Sequence, residues 1–386
     1  MKNVFLLTAL LYVNLNTGLA TPPASQDTGA NTSPPPTVSS PFPLQLEARV
    51  PFAPTAFPSA GRTYLCYELY LTNFSDRAMT LSRIEVLDAE RADSKSVVTF
   101  EDDRLDTVLK RFPAGAPGKS GARDLGPGTT AVVFMWVPFD DPAHVPGQLR
   151  HRIVTTDASI EGPVIGTRNT ELHVLAPPVR GANWTASDGP SNAEDNHHRR
   201  GVLVMGGQLV DSRRYAIDWM RYKDGGSIAY GEPVFAVADA TVVKTRDGLP
   251  DNVPAPVATF HPAVPITLDT AGGNTVLLDL GDGQYAWYFH LKPGSLQVKA
   301  GDAVRRGQLL ARIGVSGDSN VPHLHFEVST STAVVAGEGL PYLIDHYRIW
   351  TADKQWETRT RELPLGGTLV DFGEGDGDTR GLAPNR

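Results

Sequence analysis

The sequence predicts a mainly β protein in which an N-terminal β-sandwich precedes a second, β-sheet domain. Three observations support this fold class. Short runs of alternating polar and apolar residues recur along the chain, and turn residues separate them. No long stretch has the 3.6-residue period of an amphipathic helix. A chain of 386 residues is also long enough for two domains.

Composition narrows the function classes. Hydrophobic residues make up 41% of the chain and charged residues 20%, which is typical of a globular protein. The net charge of -8 provides no basic footprint for nucleic acid. Cys66 is the single cysteine of the sequence, so no intrachain disulfide can form, and we expect it to be buried as a small apolar residue.

Residues 1–20 have the features of a signal peptide. Lys2 supplies a positive charge, and the apolar core from Val4 to Val13 is too short to span a bilayer. The small residues that end at Ala20 resemble a cleavage site. We therefore predict a secreted or periplasmic protein, with no integral membrane segment after signal cleavage.

A linker and the β-sandwich follow. Residues 21–45 are rich in Pro, Ser and Thr and predict a disordered linker, because such a segment buries too little apolar surface to offset its conformational entropy. Residues 46–177 predict a β-sandwich of unknown role. The strand-like runs are 63–74, 79–89, 130–139, 149–158 and 169–178. The first two are predicted to form a hairpin.

The residues with catalytic potential cluster in the second predicted domain, 178–350, which a C-terminal tail, 351–386, follows. Six of the ten histidines lie between His197 and His325. Strand–turn–strand units with glycine at the turns separate them, so we expect the histidines at the ends of strands.

The motif "VPHLHFEV" places His323 and His325 two residues apart within an apolar run. Residues two apart on a strand project from the same face, so the two imidazoles would lie side by side. From the motif alone, a structural pair of histidines is as plausible as a functional one.

Asp218, in another apolar, strand-like run, adds a possible metal ligand. Aspartate and histidine together form a ligand set that suits zinc. Catalytic zinc keeps three protein ligands and an open position for water, and further histidines beside it can transfer protons or stabilise an oxyanion.

Residues 201–328 resemble the lysostaphin/LytM-type zinc endopeptidases, which cut peptidoglycan cross-bridges and stem peptides. The matching stretches are "YAIDW", "GEPVFAVADATVV", "GNTVLLDLGDGQYAWYFHL" and "VKAGDAVRRGQLLARIGVSGDSNVPHLHFEV". The resemblance implies this family's β-sheet peptidase fold and Zn²⁺ as the cofactor. It implies Asp218 and His325 as metal ligands, and His290 and His323 as catalytic residues.

The resemblance departs at one ligand. The family's first zinc ligand is a histidine four residues before the aspartate, whereas this chain has Arg214, which on a continuous strand would share a face with Asp218. A guanidinium has no free lone pair for zinc. Either a histidine of "NHHRR" enters the site, for which we favour His198 over His197, or the site binds no metal. Arg214 could pair with a carboxylate, bind an anionic substrate group or lie on the surface.

The leading interpretation is a zinc metalloendopeptidase that acts on peptidoglycan or another peptide. The alternative is a catalytically silent, peptidase-like module that binds the cell wall or regulates another hydrolase, and it would hold no zinc. A third interpretation, a carrier or phosphotransfer domain, is suggested by "VKAGDAVRRGQ". The signal peptide disfavours it, because those systems work in the cytosol.

Overall fold

The computed structural model describes residues 42–91, 95–112, 121, 123–168, 170–199 and 201–373. The predicted signal peptide and all but the last four residues of the predicted linker lie outside the described residues. Strands dominate the described part of the chain, which confirms the mainly β class. None of the helices in this part is long and apolar enough to cross a membrane.

Two stacked sheets form the N-terminal part. Their strands are β1 (Leu46–Arg49), β2 (Phe57–Ser59), β3 (Arg62–Asn73), β4 (Met79–Asp88), β5 (Val98–Glu101), β6 (Leu109–Phe112), β7 (Asp124–Leu125), β8 (Thr130–Phe139), β9 (Gln148–Thr155), β10 (Ser159–Glu161) and β11 (Ile165–Gly166). One sheet has the order β1-β3-β8-β6 with β2 on β3, and the other has the order β10-β9-β4-β5 with β7 and β11 beside it. Buried apolar side chains of both sheets share one core, so the predicted sandwich is confirmed.

The predicted hairpin between the first two long strands is wrong. β3 pairs with β1, β2 and β8, whereas β4 pairs with β5, β7 and β9 of the opposite sheet. Asn73 turns the chain between them, because its side chain accepts from the backbone N–H of Ser75 at 2.8 Å and donates to the carbonyl of Arg77 at 2.7 Å. The connection therefore crosses from one sheet to the other. A short α-helix, α1 (Asp102–Val108), and a 3-10 helix, Pro142–His144, lie in other connections.

Strand β3 is buried on both of its faces. Leu65, Tyr67 and Leu69 pack into the sandwich core. Tyr64 and Cys66 project from the opposite face into a second core that the following residues build. The sandwich therefore lies directly against the rest of the chain, and the described residues from Leu44 onward form one compact body.

A large sheet organises the remaining residues. Its strands and their neighbours are β12 (Val174–Leu175), β13 (Trp184–Ser187), β14 (Leu203–Met205), β15 (Gln208–Val210), β16 (Ile217–Lys223), β17 (Gly226–Ser227), β18 (Pro233–Phe235), β19 (Ala240–Arg246), β20 (Asn274–Gly281), β21 (Gln284–Leu291), β22 (Ala303–Val304), β23 (Leu309–Arg312), β24 (Leu324–Ser329), β25 (Leu343–Trp350), β26 (Trp356–Glu362) and β27 (Leu369–Asp371). The sheet has the order β12-β25-β27-β13-β16-β24-β21-β20-β19-β22. β14 pairs with β15, and β18 with β23, in separate ribbons, and a 3-10 helix spans Val257–Thr259.

The ends of the predicted second domain differ in detail from the observed sheet. β12 lies within the stretch assigned to the sandwich, yet it pairs with β25 of the large sheet. β26 and β27 lie within the stretch assigned to a C-terminal tail, yet both pair in the large sheet. β12 and β27 are only two and three residues long, and the pairing of such short strands depends on their neighbours. Residues 374–386 lie outside the described residues.

A buried histidine should make the sandwich sensitive to acid. His151 is 1% exposed, and its Nε2 lies 2.8 Å from the hydroxyl of Tyr67. Burial lowers the pKa of His151 to about 4, from an ordinary value of 6.5. The unfolded chain then binds more protons between these two values, so stability rises with pH in this window and falls as the pH drops through it.

We predict that wild-type protein loses about 2 kcal/mol more stability between pH 7 and pH 5 than His151→Gln, which does not titrate. Urea unfolding at the two pH values measures the difference. His144→Gln is the matched control, because it removes an exposed histidine of the sandwich and leaves His151 in place. Equal pH dependence in wild type and His151→Gln would contradict the prediction.

Candidate active site

The pairing of β16 with β24 creates the site. The two strands are antiparallel, and Asp218 lies directly opposite His325. Residues in this relation carry their side chains on the same face of a sheet, with Cβ atoms about 5 Å apart. A one-residue shift would turn one of the two side chains to the opposite face, so the strand register brings the carboxylate and the imidazole together.

The sequence of β24 explains why the register is defined. Leu324, Phe326 and Val328 alternate with polar residues and are buried in the main core. Their burial directs His325, and Glu327 beyond it, to the opposite face. The alternation that was read from "HLHFEV" is therefore observed, and the apolar set holds the polar set in place.

His198 completes a cluster with Asp218 and His325. The three residues are buried, and one potential ligand atom from each lies within 4.8 Å of the others. Nε2 of His198 is 3.4 Å, and Nδ1 of His325 is 2.9 Å, from Oδ1 of Asp218. His197, by contrast, is 74% exposed and contacts Asp188.

Backbone carbonyls orient His198 and His323, the two histidines whose Nε2 atoms also lie near Asp218. Nδ1 of His198 lies 2.8 Å from the carbonyl oxygen of Asp188, and Nδ1 of His323 lies 2.9 Å from that of Val321. A carbonyl only accepts, so both Nδ1 atoms carry the proton. Each Nε2 then faces Oδ1 of Asp218, at 3.4 Å for His198 and 3.5 Å for His323.

Glu327 is a residue of the candidate site that the sequence analysis missed. Its Oε2 lies 3.0 Å from Nε2 of His325, and the residue is 0% exposed. Because the carboxylate accepts the proton on Nε2, Nδ1 of His325 is left to face Asp218. The signal was present in the motif, since Glu327 follows His325 by two residues and shares its face.

His290 reaches the same region from the end of β21. Its backbone is left-handed, with φ of 61°, which is unusual for a residue other than glycine. Its Nδ1 donates to the carbonyl of Ser316 at 2.8 Å. Gly273 permits this approach, since a Cβ there would lie 2.4 Å from the same carbonyl oxygen. The rings of His290 and His323 are 4.8 Å apart.

Burial and the neighbouring charges set the protonation of the site. Burial opposes ionisation of Asp218, but the imidazoles of His323 and His198 hold the pKa of its carboxyl well below the ordinary value. Burial would lower the pKa of His325, but its hydrogen bonds to Asp218 and Glu327 raise it to about 9. Burial, with His323 and His325 nearby, holds the pKa of His290 well below its ordinary value. His290 is therefore neutral near pH 7.

Arg214 does not share the face of Asp218. Strand β16 begins at Ile217, so Arg214 lies in the preceding turn and strand alternation does not apply to it. Its side chain is 1% exposed, and its Nε lies 3.1 Å from Oε1 of Glu68 in the sandwich. Pairing with a carboxylate, one of the three roles expected for Arg214, is therefore observed. The expected position on the surface is wrong.

A cavity lies beside Trp287 of β21. Phe289 stacks on His325 with ring centroids 5.2 Å apart, and Trp287 follows on the same face of β21. The cavity has a volume of about 540 Å³ beside Trp287. Lys244 and Arg246 of β19 line one side, and Met205 of the β14–β15 ribbon lines another.

Part of the chain matches a known protein family. Residues 224–336 match the model of peptidase family M23. The chain contains a peptidase family M23 domain. The match includes His290, His323 and His325, whereas His198 and Asp218 precede it.

The M23 domain has curated relatives. Glycyl-glycine endopeptidase ALE-1 of Staphylococcus capitis is 39% identical over 75 residues, which are 19% of this chain and 20% of that protein. Lysostaphin of Staphylococcus simulans is 39% identical over 75 residues, which are 19% of this chain and 15% of that protein. The chain thus spans a fifth or less of the length of these relatives.

Solved structures similar to the chain include the catalytic domain of lysostaphin from Staphylococcus simulans, at 22% identity and a TM-score of 0.24, covering 41% of this chain and 88% of that one. The M23 metalloprotease pseudoalterin from the deep sea is 18% identical with a TM-score of 0.28, covering 52% of this chain and 99% of that one.

The donor set fits zinc. Two imidazoles and one carboxylate converge in a buried position, and the second nitrogen of each imidazole is already held by a carbonyl or carboxylate. Histidine ligands of metals usually have such partners, which fix the ring and raise its basicity. We therefore predict that His198, Asp218 and His325 bind one zinc ion.

Replacing any of the three by alanine should weaken zinc binding by more than about 100-fold, because partners of ligands alone contribute about 10- to 100-fold. Glu327→Gln should weaken it by about 10- to 100-fold. Competition with a chromogenic chelator measures the affinity. His197→Ala is the matched control and should bind zinc as the wild type does. Full zinc binding by His198→Ala would mean that His198 is not a ligand.

Proposed function

We propose that this chain is a zinc-dependent endopeptidase that hydrolyses peptide bonds of peptidoglycan outside the cytoplasm. The observation that carries the proposal is the convergence of five side chains on one buried face: His198, Asp218, His290, His323 and His325. An M23 peptidase domain supports the hydrolytic chemistry. The curated relatives that match it include a glycyl-glycine endopeptidase, which supports a peptide substrate.

The proposed division of labour follows from which nitrogens are free. Zinc bound by His198, Asp218 and His325 would supply Lewis acidity and lower the pKa of a bound water toward neutrality. His290 is neutral and can take up a proton at Nε2, since its Nδ1 is occupied by the carbonyl of Ser316. His323 can donate a hydrogen bond from Nε2 to negative charge that develops on the peptide oxygen.

The cavity beside Trp287 suits an extended peptide. Trp287, which lines the cavity, lies on the same face of β21 as Phe289, which stacks on His325, so residues that flank a peptide bond held at the histidines would extend toward the cavity. Its lining combines the cations of Lys244 and Arg246 with the carboxylates of Asp247 and Asp269 and the apolar side chains of Met205 and Leu268. Peptides with both charged and apolar groups, such as those of a cell wall, match that lining.

Export is proposed from residues 1–20, whose charge pattern, short apolar core and small final residues have the features of a signal peptide. An extracellular or periplasmic location would bring the enzyme to its proposed substrate. The expected zinc site needs no disulfide, in accord with the single cysteine, Cys66, which is buried.

We predict that His290→Ala and His323→Ala keep stoichiometric zinc but lose about 100-fold or more of the hydrolytic rate, the scale for a general base or an oxyanion donor. The measurement is digestion of purified peptidoglycan by the zinc-loaded protein, with mass spectrometry of the released peptides. His144→Ala is the matched histidine control, because His144 is exposed and lies in the sandwich.

Loss of zinc from His323→Ala would reverse the roles of the two histidines of "HLH". A wild-type protein that binds zinc and leaves both peptidoglycan and model peptides intact would overturn the enzyme proposal. A wild-type protein that binds no zinc but binds the cell wall would favour the silent module instead.

A further inference from the structure

The candidate zinc ligand His198 lies in a loop that belongs to no helix or strand. The segment runs from Asp188 to Arg199 between β13 and β14. Asn196 holds it together internally, since its side chain donates to the carbonyl of Gly189 at 2.8 Å and accepts from the backbone N–H of Arg199 at 2.9 Å. Such a loop needs further contacts to keep an imidazole at one position.

The sandwich supplies some of those contacts. The side chain of Asn192 donates to the carbonyl of Phe134 in β8 at 2.6 Å. Arg199 donates to the carbonyl of Thr107 in α1 and to the carbonyl of Asn192, and its guanidinium lies 4.7 Å from the ring centre of Phe134. The segment that carries His198 is therefore attached to the other domain.

Arg214 contacts both the segment that carries His198 and the sandwich. Its Nη1 donates to the carbonyl of Ser191 at 3.0 Å, and its Nη2 donates to Oδ1 of Asn192 at 2.9 Å. The same guanidinium contacts the carbonyl of Met135 in β8 at 3.4 Å and pairs with Glu68 in β3. Arg214 and Glu68 are both nearly inaccessible to solvent, at 1% and 7% exposure of their side chains. A fork of fixed N–H donors can hold a backbone carbonyl, an amide and a carboxylate at once.

We propose that Arg214 is a positioning residue for the metal centre: it holds the segment that carries His198 against the sandwich and so fixes the position of His198. This inference rests on the proposed function, because it assumes that His198 binds zinc. The sandwich is then part of the metal centre rather than an appended module. The physical reason is preorganisation, since a loop already ordered by buried contacts loses less entropy when zinc binds.

Two variants remove contacts between the His198 segment and the sandwich in different ways. Arg214→Lys keeps the positive charge beside Glu68 but has no planar fork, so it cannot reproduce the paired contacts to Ser191 and Asn192. Asn192→Ala removes a neutral side chain and leaves the buried ion pair intact. Both should weaken zinc affinity about 10-fold or more, as the loss of partners of ligands does.

The matched control is Tyr215→Phe. Tyr215 is the next residue along the chain, and its hydroxyl donates to the carbonyl of Cys66 in β3 at 2.8 Å. The substitution therefore removes a hydrogen bond across the same interface without touching the His198 segment. It should change the melting temperature of the zinc-free protein but leave the zinc affinity at the wild-type value.

The full chain is used for every variant. Chelator competition gives the zinc affinity, and the visible absorption of the cobalt-loaded protein reports whether His198 remains bound to the metal. The inference predicts weaker affinity and an altered cobalt spectrum in Asn192→Ala and Arg214→Lys, but not in Tyr215→Phe. If Arg214→Lys does not fold, Asn192→Ala decides.

Wild-type affinity in Asn192→Ala would overturn the inference, and so would an equal loss in Tyr215→Phe, which would make the effect one of general stability. Either result, with zinc bound normally by the wild type, leaves the proposed function intact. A wild-type protein that binds no zinc would overturn the proposed function first, and this inference with it.

Discussion

The pairing of β16 with β24 is the constraint on which the site depends. It places Asp218 opposite His325, and the apolar residues that alternate with His325 bind the strand to the main core. Any shift in register would bury polar groups in that core, which costs free energy when they lack partners. The same burial that stabilises the sheet therefore also aligns the candidate metal ligands and leaves His290 neutral.

A second constraint is the contact between the sandwich and the large sheet. Arg214 is buried among three carboxylates, Glu68, Asp211 and Glu338. Burial raises the pKa of each of the three, and the guanidinium opposes this effect. Removing one partner from a buried ion pair usually costs about 3–5 kcal/mol.

Polar groups around the histidines come from many separate segments. Asp188 and Val321 supply backbone carbonyls, Ser316 supplies another, and Glu327 supplies a carboxylate. Each fixes one nitrogen of an imidazole, so the other nitrogen is available to a metal or a substrate. The site is therefore preorganised by contacts that hold rings rather than by the rings alone.

Local patterns determined much of this protein. The alternating runs predicted the long sandwich strands to within a few residues, because half-buried strands must alternate, and "HLHFEV" placed His323 and His325 on one face. The hairpin after Asn73 was wrong, because which sheet a strand joins depends on distant partners. The departure at Arg214 made His198 a candidate ligand, but its contact with Asp218, like the burial of Arg214 against Glu68, is seen only in the tertiary structure. These contacts join residues that lie about 20 and about 150 positions apart, and no spacing rule links side chains across a loop or between two sheets.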